Sequence, residues 1–478
     1  MTTWPPSGSE VLTSFDRLHP EIRRWIWEQK WEELRDVQDR AISAVLGSDG
    51  DVLIAAATAA GKTEAAFLPV LTAVADRTER GFSVLYVSPL KALINDQFRR
   101  LDQLCERLEI ETVRWHGDAP QSAKDRARRN PRGAILITPE SIEAMLIRRP
   151  GDAVKMLGAL DFIVIDELHA FMKGPRGLHL ASLLRRLDAL TGKRARRVGL
   201  SATIGDLNKA AAWMNPEHPE TVRIVESASD APELRLQIRA YSDPVDADDT
   251  DGLEVDGKPI ALDYIADHIF QNLRGSNNLV FAGSRRRVEA VADRLRTRSE
   301  KAEVPNEFFP HHGSLSKELR EELEGRLKKA DLPTTGVATT TLELGIDIGS
   351  VTSVAQIGAP RSIASLRQRL GRSGRRRGVP AVLRIYVRER NLGLDADPLD
   401  RLRLEVVRAV ASVRLLVEKF VEPPVAETAI ATVVLHQSLS LITQLGGSRA
   451  DRLYAMTCGA GPLSAFTKSD YAGLLRAM

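Results

Sequence analysis

A loop of small residues that ends in a lysine and a hydroxyl is the first group in this sequence that could do chemistry. The segment AATAAGKTE (56–64) follows a short apolar stretch. In a phosphate-binding loop, backbone N–H groups hold the phosphates, a lysine reaches the β- and γ-phosphates, and a hydroxyl binds Mg²⁺. The strict Gly-x-x-x-x-Gly-Lys-[Ser/Thr] pattern fails because Ala56 replaces its first glycine, so a chance match stays open from this segment alone. The predicted cofactors are ATP and Mg²⁺, held by Thr58, Ala59, Ala60, Gly61, Lys62, Thr63 and Glu64.

Two adjacent carboxylates follow a second apolar stretch, in IVIDELH (163–169). Asp166 would hold Mg²⁺, and Glu167 would orient and deprotonate the attacking water. Phosphoryl transfer requires positioning and charge stabilisation from a protein, and little covalent chemistry. An Asp-Glu pair can also be an ordinary loop start. Because Lys62 and Thr63 follow another strand candidate, we favour a nucleotide-hydrolysing site.

Positive charge for the transition state is available in QRLGRSGRR (368–376). Arg372 and Arg375 are three residues apart, so on a helix they would point the same way. We predict that both act as arginine fingers that reach across a domain cleft. The alternative is a basic surface helix, in which Gly371 and Gly374 would be unexplained costs.

The elements that must position these groups alternate between strands and helices. Short apolar stretches read as buried parallel strands, with helical stretches between them, and Pro, Asp and Gly accumulate between about 226 and 262 as in a linker or surface loop. After about residue 391 the sequence turns helical. The strand candidates are 51–57, 82–89, 133–139, 161–167 and 196–203, then 277–284, 334–341, 351–360 and 381–387. We therefore predict two α/β domains with doubly wound parallel sheets.

Length and composition agree with a globular protein of several domains. The chain has 478 residues, which suggests two to four domains, and its hydrophobic and charged fractions are those of globular proteins. It lacks an apolar run of membrane-spanning length and a signal-like N-terminus. Cys105 and Cys458 have no motif neighbours, so free thiols and a cytoplasmic location are expected.

The net charge of +3 is small, but its distribution is uneven. Residues 243–256 hold seven acids and no Lys or Arg, whereas residues 361–390 hold ten arginines. A charge run is usually a solvated face. An arginine-rich stretch can also serve phosphates, either of ATP or of a nucleic acid.

Together these motifs resemble the superfamily-two helicases of the DExH type, and within them the Lhr-like group. The resemblance covers about residues 30–390. The motifs in the family's order are ELRDVQ, AATAAGKT, SPLKAL, TPES, DELH, SAT, VFAGSRRRVE, HHGSLS, TTTLELGIDIG and QRLGRSGRR. The resemblance implies two tandem RecA-like domains of the P-loop NTPase class, at 1–228 and 229–422, with the start of a winged-helix-like region at 423–478.

The resemblance also implies a role for each motif residue. Gln38 would read adenine, Gly345 and Asp347 would lie near the ribose and the domain interface, and Gln368 would lie near the γ-phosphate. His169 would touch the partner domain's fingers, and Ser201, Ala202 and Thr203 would couple the ATP site to the nucleic acid. The residues implied to contact the nucleic-acid backbone are Pro89, Lys91, Thr138, Pro139 and Glu140 in the first domain, and Ser284, Arg285, His312, Thr339 and Thr340 in the second.

Plainer interpretations exist for some of these residues. Thr138, Ser201 and Thr203 could simply cap helices that follow strands, and His312 could be an ordinary loop histidine.

The sequence departs from the family pattern at two places. Ala59 stands where the family has glycine, and we predict that it keeps a negative φ. The sequence after residue 423 is shorter than in full-length family members, so the chain is expected to be a fragment or to work with a protein partner that supplies the missing C-terminal functions.

The leading hypothesis is an ATP-dependent helicase that moves along one strand, 3′ to 5′ as the resemblance implies, and unwinds duplex DNA or an RNA–DNA hybrid. A second is a translocase or remodelling subunit of a repair or genome-defence complex. A third is a module that binds nucleic acid without hydrolysis, and a fourth is a metabolic P-loop enzyme such as a kinase. The expected partner is nucleic acid, with DNA favoured, and no membrane.

Overall fold

The computed structural model divides the chain into two compact units. Unit 1 comprises Met1–Ser229 with Pro423–Met478, and unit 2 comprises Asp230–Glu422. The structure describes residues 13–56, 61–202, 205–227, 233–243, 260–343, 348–360, 362–374, 378–393, 396–420, 422 and 430–478.

A parallel sheet of seven strands forms the centre of unit 1, in the order β3-β4-β2-β5-β6-β1-β7. Every neighbouring pair is parallel. The strands are β1 (Val52–Ala55), β2 (Gly81–Val87), β3 (Thr112–Trp115), β4 (Arg132–Ile137), β5 (Phe162–Ile165), β6 (Arg196–Ser201) and β7 (Arg223–Glu226).

Helices cover both faces of this sheet. Val52 and Ile54 of β1 belong to one hydrophobic cluster, and Leu53 between them belongs to another, as the two-residue period of a strand requires. The helices are α1 (Pro20–Glu28), α2 (Asp36–Leu46), α3 (Lys62–Val74), α4 (Lys91–Arg107), α5 (Gln121–Arg129), α6 (Pro139–Arg148), α7 (Pro150–Leu157), α8 (Leu168–Phe171), α9 (Gly174–Thr191) and α10 (Leu207–Met214), with a 3₁₀ turn at Pro219–Thr221.

Unit 2 contains a six-stranded parallel sheet in the order β10-β11-β9-β12-β13-β8. Its strands are β8 (Leu234–Asp243), β9 (Asn278–Ala282), β10 (Phe308–His311), β11 (Thr335–Ala338), β12 (Ser353–Ile357) and β13 (Ala381–Arg390). Its helices are α11 (Ala261–Leu273), α12 (Arg285–Lys301), α13 (Lys317–Lys329), α14 (Ile363–Leu370) and α15 (Leu404–Val417), with 3₁₀ turns at Thr340–Leu342 and Asp400–Leu402. The predicted fold class of two doubly wound parallel sheets is confirmed.

Three helices and a short turn lie within residues 430–477, and they belong to unit 1. They are α16 (Ile430–Leu445), α17 (Ala450–Cys458) and α18 (Lys468–Ala477), with a 3₁₀ turn at Pro462–Ala465. Leu178 of α9 packs in one cluster with Val434 and Leu441 of α16 and Tyr471 of α18. The predicted helical character of this tail is confirmed, whereas the winged-helix interpretation stays a prediction.

Two local predictions were wrong. The stretch expected to be a linker contains the edge strand β8, whose residues are half-buried or exposed as far as the buried Asp243 and include no continuous apolar run. The helix expected to carry Arg372 ends at Leu370, before that residue. Within the part of the chain that the structure describes, no helix is long and apolar enough to cross a membrane.

Candidate active site

The predicted unit 1 residues gather at the carboxyl ends of its strands. Because the strands are parallel, these ends share one edge of the sheet, where ligands of such folds bind. The loop after β1 leads to Lys62, β5 is followed at once by Asp166, and β6 ends on Ser201. The order β5-β6-β1 places the three strands side by side, so the sheet brings these groups together.

Gly61 marks the point where the loop turns into helix α3. Its φ is +81°, in the left-handed region that favours glycine, and it is the N-cap of α3. A Cβ at Gly61 would lie only 2.7 Å from Nε2 of Gln38, so the two residues adjoin. Gln38 is 2% exposed, and its Oε1 accepts from the backbone N–H of Arg35 at 3.0 Å. The predicted adenine-reading glutamine therefore lies against the predicted phosphate loop.

The other loop residues are placed as follows. Lys62 and Thr63 open α3, and Lys62 is buried. The Glu64 carboxylate accepts from Arg100 of α4. Thr58, Ala59 and Ala60 lie outside the described residues, and so does the expectation about the φ of Ala59.

The two adjacent carboxylates are buried at the end of β5, each residue 7% exposed. Glu167 has a φ of +49°, unusual for a non-glycine residue, and its N–H donates to Oδ1 of Asp166 at 2.9 Å. The Tyr86 hydroxyl donates to Oδ2 of Asp166. Burial, together with the negative charge of Glu167, raises the pKa of Asp166 to about 6, while the charge of Lys62 opposes the rise. These carboxylates are therefore a site at which added positive charge would be stabilising.

Tyr86 was missed by sequence reasoning. It lies on β2, the neighbour of β5, and is fully buried. Burial first, and then the charge of Asp166, raises the pKa of its hydroxyl well above the usual value, so the hydroxyl remains a donor. Tyr86 is the one tyrosine of the strand GFSVLYV, and because its partner lies 80 residues further along the chain, no local pattern singles it out.

The oxygen donors at this site fit Mg²⁺ better than a tightly caged metal. Mg²⁺ is usually bound through one or two carboxylates together with substrate phosphates. Asp166 and the hydroxyl of Thr63 are donors of this class. Among the described residues there is no group of three or more His, Cys, Asp or Glu side chains that could hold a metal alone.

His169 connects the carboxylates to strand β6. Its Nδ1 lies 3.0 Å from Oγ of Ser201 and 3.5 Å from Oε2 of Glu167. Ser201 is fully buried and ends β6, so its hydroxyl contacts a histidine and does not cap a helix. Ala202 follows it, and Thr203 lies outside the described residues.

Lys91 opens helix α4 beside a loop that sequence reasoning missed. Its Nζ lies 3.1 Å from both carboxylate oxygens of Asp118, and a Cβ on Gly117 would lie 3.2 Å from that same nitrogen. His116 of this loop contacts Asn95 of α4 at 3.1 Å. Pro89, in the turn between β2 and α4, is buried. Only the spacing of small and polar residues after β3 could have indicated this loop.

Thr138, Pro139 and Glu140 form the start of helix α6. Thr138 is the N-cap residue, but its side chain makes no capping hydrogen bond, and its Oγ1 lies 3.1 Å from Oγ of Ser141. The Glu140 carboxylate accepts two hydrogen bonds from Arg176, at 2.7 and 3.0 Å. This carboxylate is thus neutralised by an arginine that the sequence interpretation did not single out.

In unit 2, a cleft of about 550 Å³ brings together three of the predicted track residues. Ser284 caps α12 by accepting from the N–H of Arg287 at 3.3 Å, and the exposed Arg285 donates to the hydroxyl of Ser314. The cleft is lined by Gly283, Ser284, Arg285, Gly313, Ser314 and Thr339. A helix N-terminus, hydroxyls and one arginine are the groups that contact phosphates without reading bases.

The remaining predicted track residues of unit 2 do not line this cleft. His312 is buried, and its Nε2 lies 3.0 Å from Oε1 of Glu289. Thr340 begins the 3₁₀ turn that follows β11 and is exposed. Gly345 and Asp347 lie outside the described residues.

The arginine segment of unit 2 is held by Glu343. Arg369 donates to Oε2 of Glu343 at 2.7 and 3.0 Å, and Nη2 of Arg372 donates to the Glu343 carbonyl at 3.0 Å. Arg372 is 1% exposed. It lies in the turn after α14, so the helical spacing argument for an Arg372–Arg375 pair fails.

Three further residues complete this segment. Gly374 has a φ of +68°, which explains its glycine without a helix. Gln368 lies on α14 and is half-buried, and Arg375 lies outside the described residues. Other arginines of the basic stretch are structural: Arg384 donates to Gln237 at 2.6 Å, and Arg388 donates to Asp243 at 2.9 Å.

Two family models match the chain in the order of these motifs. The model described as DEAD/DEAH box helicase matches residues 35–210, and the model described as helicase conserved C-terminal domain matches residues 260–377. The first match contains the lysine and carboxylate site, and the second contains the cleft and the arginine segment.

Individual proteins show the same similarity. The ATP-dependent helicase Lhr-Core of Methanothermobacter thermautotrophicus is 32% identical over 375 residues, which are 75% of this chain and 42% of that protein. The Lhr helicase/uracil glycosylase of Escherichia coli is 33% identical over 491 residues, which are 87% of this chain and 31% of that protein. This chain therefore spans less than half the length of either relative.

A solved structure is similar over nearly the whole chain. It is that of the Mycobacterium smegmatis helicase Lhr bound to ssDNA and AMP-PNP, with a TM-score of 0.78 and 28% sequence identity. The similarity covers 97% of this chain and 58% of that one.

Proposed function

Because this chain belongs to the Lhr-like group of the superfamily-two helicases, we propose that it hydrolyses ATP to move along one strand of nucleic acid and to separate duplexes. The observation that carries the proposal is the cluster at the carboxyl edge of unit 1. There, Lys62 and Gln38 lie beside the turn into α3, and Asp166 and Glu167 are buried at the end of β5. That edge would therefore supply both phosphate binding and water activation, the two requirements of an ATPase site.

The nucleotide would bind along the first turn of α3. The N–H groups that open this helix would hold the β-phosphate, and the Lys62 ammonium would reach the β- and γ-phosphates. Gln38 would accept and donate hydrogen bonds at the adenine edge. Thr63 and Asp166 would hold Mg²⁺, which when bound offsets charge on the phosphate oxygens.

Glu167 would then act on the water that attacks the γ-phosphorus. Its carboxylate would accept a proton from that water as the new P–O bond forms and the bond to the β-phosphate oxygen breaks, releasing ADP. His169 lies beside Glu167 and contacts Ser201, so it would sense the state of the site and relay it along β6. Arg372 and Arg375 of unit 2 would stabilise the negative charge of the transition state.

Each unit would supply one grip on the nucleic-acid strand. In unit 1 this is the start of α6 with Lys91, and in unit 2 it is the cleft around Ser284 and Thr339. Most of these groups are hydroxyls, backbone amides and single cations, so we propose binding to the phosphate backbone without a base-sequence preference. Single-stranded DNA is the proposed track, and the proposed direction is 3′ to 5′.

Strand separation with tailed duplexes tests this function. A duplex with a 3′ single-stranded tail, an otherwise identical duplex with a 5′ tail, and a blunt duplex are compared in the presence of ATP. Separation of the 3′-tailed duplex alone is expected. If no duplex is separated but streptavidin is displaced from a biotinylated single strand, the chain is a translocase without autonomous unwinding. The absence of both strand separation and streptavidin displacement would contradict the proposal.

A further inference from the structure

A buried polar cluster joins the C-terminal helices to the helix that begins with Thr138. At its centre is Arg186 of α9, which is 0% exposed. Its Nη1 donates to Oε1 of Glu143 at 2.7 Å and to Oε1 of Gln437 at 3.0 Å, and its Nη2 donates to Oε1 of Gln444 at 2.7 Å. We call Glu143, Arg186, Gln437 and Gln444, with Ser440, the junction.

The Glu143 carboxylate is the point at which three helices meet. It accepts from Nε2 of Gln437 at 2.7 Å and from the hydroxyl of Ser440, both on α16. Nε2 of His179 on α9 lies 2.7 Å from its Oε2. The carboxylate is thus held from α9 on one side and from α16 on the other.

The positions of these residues link the junction to the proposed nucleic-acid grip. Glu143 lies on α6 three residues after Glu140, so the two carboxylates share a helix face. On α9, Arg176 pairs with Glu140, and His179, three residues later, pairs with Glu143. Two adjacent side-chain pairs therefore fix the first turns of α6 against α9, and the junction holds the second of them in place.

Packing alone does not account for this arrangement. Burying an arginine and a carboxylate is costly, and apolar residues of similar size commonly stabilise a helix contact equally well or better. Directional hydrogen bonds do fix the rotation and height of one helix relative to another more narrowly than apolar contacts. Burial opposes ionisation of Glu143, but the hydrogen bond from His179 and the charge of Arg186 outweigh it and lower the pKa of Glu143 well below its usual range. The junction is therefore ionic at neutral pH.

We propose that the junction is a positioning device for the nucleic-acid grip, and that α16 takes part in strand binding through it without touching the strand. By holding Glu143, α16 fixes the orientation of α6 and with it the Thr138–Glu140 turn that would contact the phosphates. This inference rests on the proposed function, and it adds Glu143, Arg186, Gln437 and Gln444 as positioning residues.

The test is the double substitution Gln437→Met with Gln444→Met. Methionine keeps the length and volume of glutamine but can neither accept from Arg186 nor donate to Glu143. The glutamine ties from α16 are therefore lost, whereas the Glu143–Arg186 pair and the hydrogen bond from Ser440 stay. Nucleic-acid-stimulated ATPase is measured at several oligo(dT) concentrations and several ATP concentrations. The oligo(dT) concentration for half-maximal stimulation is expected to rise by about fivefold, with the kcat at saturating oligo(dT), the KM for ATP and the unstimulated rate unchanged.

Thr443→Val on the same helix is the matched control. Thr443 is exposed and donates only to the Leu439 carbonyl of α16, so its replacement leaves the junction intact. A general loss of folded protein would lower kcat and leave the half-maximal concentration unchanged. An unchanged half-maximal concentration in the folded double variant would overturn the proposal.

A milder variant keeps the test valid if the double variant does not fold. Ser440→Ala removes one hydrogen bond to Glu143 and no buried charge. It should raise the half-maximal oligo(dT) concentration by about twofold, and no rise would count against the junction. If the wild-type protein shows no stimulation by any nucleic acid, the proposed function fails first, and that outcome is distinguishable from failure of the junction alone.

Discussion

The charged residues of the proposed chemistry differ in kind and in place between the two units. In unit 1 the lysine and both carboxylates lie at the carboxyl edge of the sheet, and the carboxylates are buried beside Tyr86. In unit 2 they are Arg369 and Arg372, both hydrogen-bonded to Glu343, and the carbonyl of Arg372 accepts from the N–H of Val351, just before β12 begins. In the proposed function, phosphate binding and water activation belong to unit 1, and neutralisation of the transition state belongs to unit 2.

A second difference concerns how each unit would hold nucleic acid. The unit 1 grip is tied to other helices by ion pairs, through Arg176 and Glu140 and then through the junction. The unit 2 grip is an open cleft at a helix N-terminus, where the exposed Arg285 contacts Ser314. We infer that unit 1 presents a preset surface, whereas binding by unit 2 depends more on a single exposed charge.

Replacing Lys62, the cation of unit 1 that is proposed to bind the phosphates, should have the largest effect on ATP turnover. Lys62→Ala is expected to abolish ATP hydrolysis and to weaken nucleotide binding, because Lys62 is the one cationic residue of α3 and would bind the β- and γ-phosphates. Steady-state ATPase and the binding of a fluorescent ATP analogue measure the two effects. Lys209→Ala removes an exposed lysine of α10 and is the control. Turnover within about tenfold of wild type would mean that the phosphate site has been placed wrongly.

Replacing Arg372, the proposed arginine finger of unit 2, should have the next largest effect on ATP turnover. Arg372→Ala is expected to reduce turnover on the order of a thousandfold or more, with ATP binding retained, as for other arginine fingers. Arg296→Ala, which removes an exposed arginine of α12, should leave turnover unchanged. Single-turnover ATP hydrolysis at saturating nucleotide is the measurement. Loss of only a few-fold would assign Arg372 to the interior of unit 2 and would leave the division of charge between the units without support.

The open cleft of unit 2 should respond to salt. Arg285→Ala is expected to weaken oligo(dT) binding several-fold and to reduce the slope of log K against log salt by about 0.7, because one phosphate contact is lost. Fluorescence anisotropy titrations from low to moderate salt give both values. Arg414→Ala, which removes an exposed arginine of α15, is the control. An unchanged slope would place the strand elsewhere on unit 2.

The smallest effects concern two glycines of unit 2. A Cβ on Gly374 would lie 2.8 to 2.9 Å from the backbone of Ala381, and its φ is positive, so Gly374→Ala should lower the free energy of unfolding by on the order of 1–3 kcal/mol. Gly325 lies inside α13 with open space around it, so Gly325→Ala should raise that free energy by about 0.5–1 kcal/mol. Urea denaturation measures both. Equal effects of the two substitutions would mean that the turn before β13 is not strained by a side chain.

The sequence was sufficient for the interior strands of both sheets, but it predicted none of the four edge strands β3, β7, β8 and β10. The predicted strands are buried and aliphatic, and their apolar runs are visible without a structure. β8 was missed because it is an edge strand in which polar and apolar residues alternate. β10 contains Pro310, which is compatible with an edge strand but weakens a strand pattern.

The candidate site was predictable where a motif is local and not where a contact is made between distant elements. Lys62, Asp166 and Glu167 could be singled out as candidates because Lys62 follows β1 after a short loop and both carboxylates follow β5 directly. Tyr86 and Arg176 act through residues 80 and 36 positions away, so no local pattern reveals them. The helix expected around Arg372 was wrong because a glycine with positive φ was interpreted as helical.

Unit 1 is proposed to contain a water-activating carboxylate, Glu167, whose action is coupled to the binding of nucleic acid. The most direct measurement is steady-state ATPase with and without oligo(dT) and oligo(U), for wild type and for Glu167→Gln. We expect strong stimulation of the wild type, and in the variant loss of turnover on the order of a thousandfold with retained binding of ATP and nucleic acid. Retained turnover in Glu167→Gln would contradict the assignment of the base, and a wild type that binds ATP but is stimulated by neither polymer would contradict the coupling.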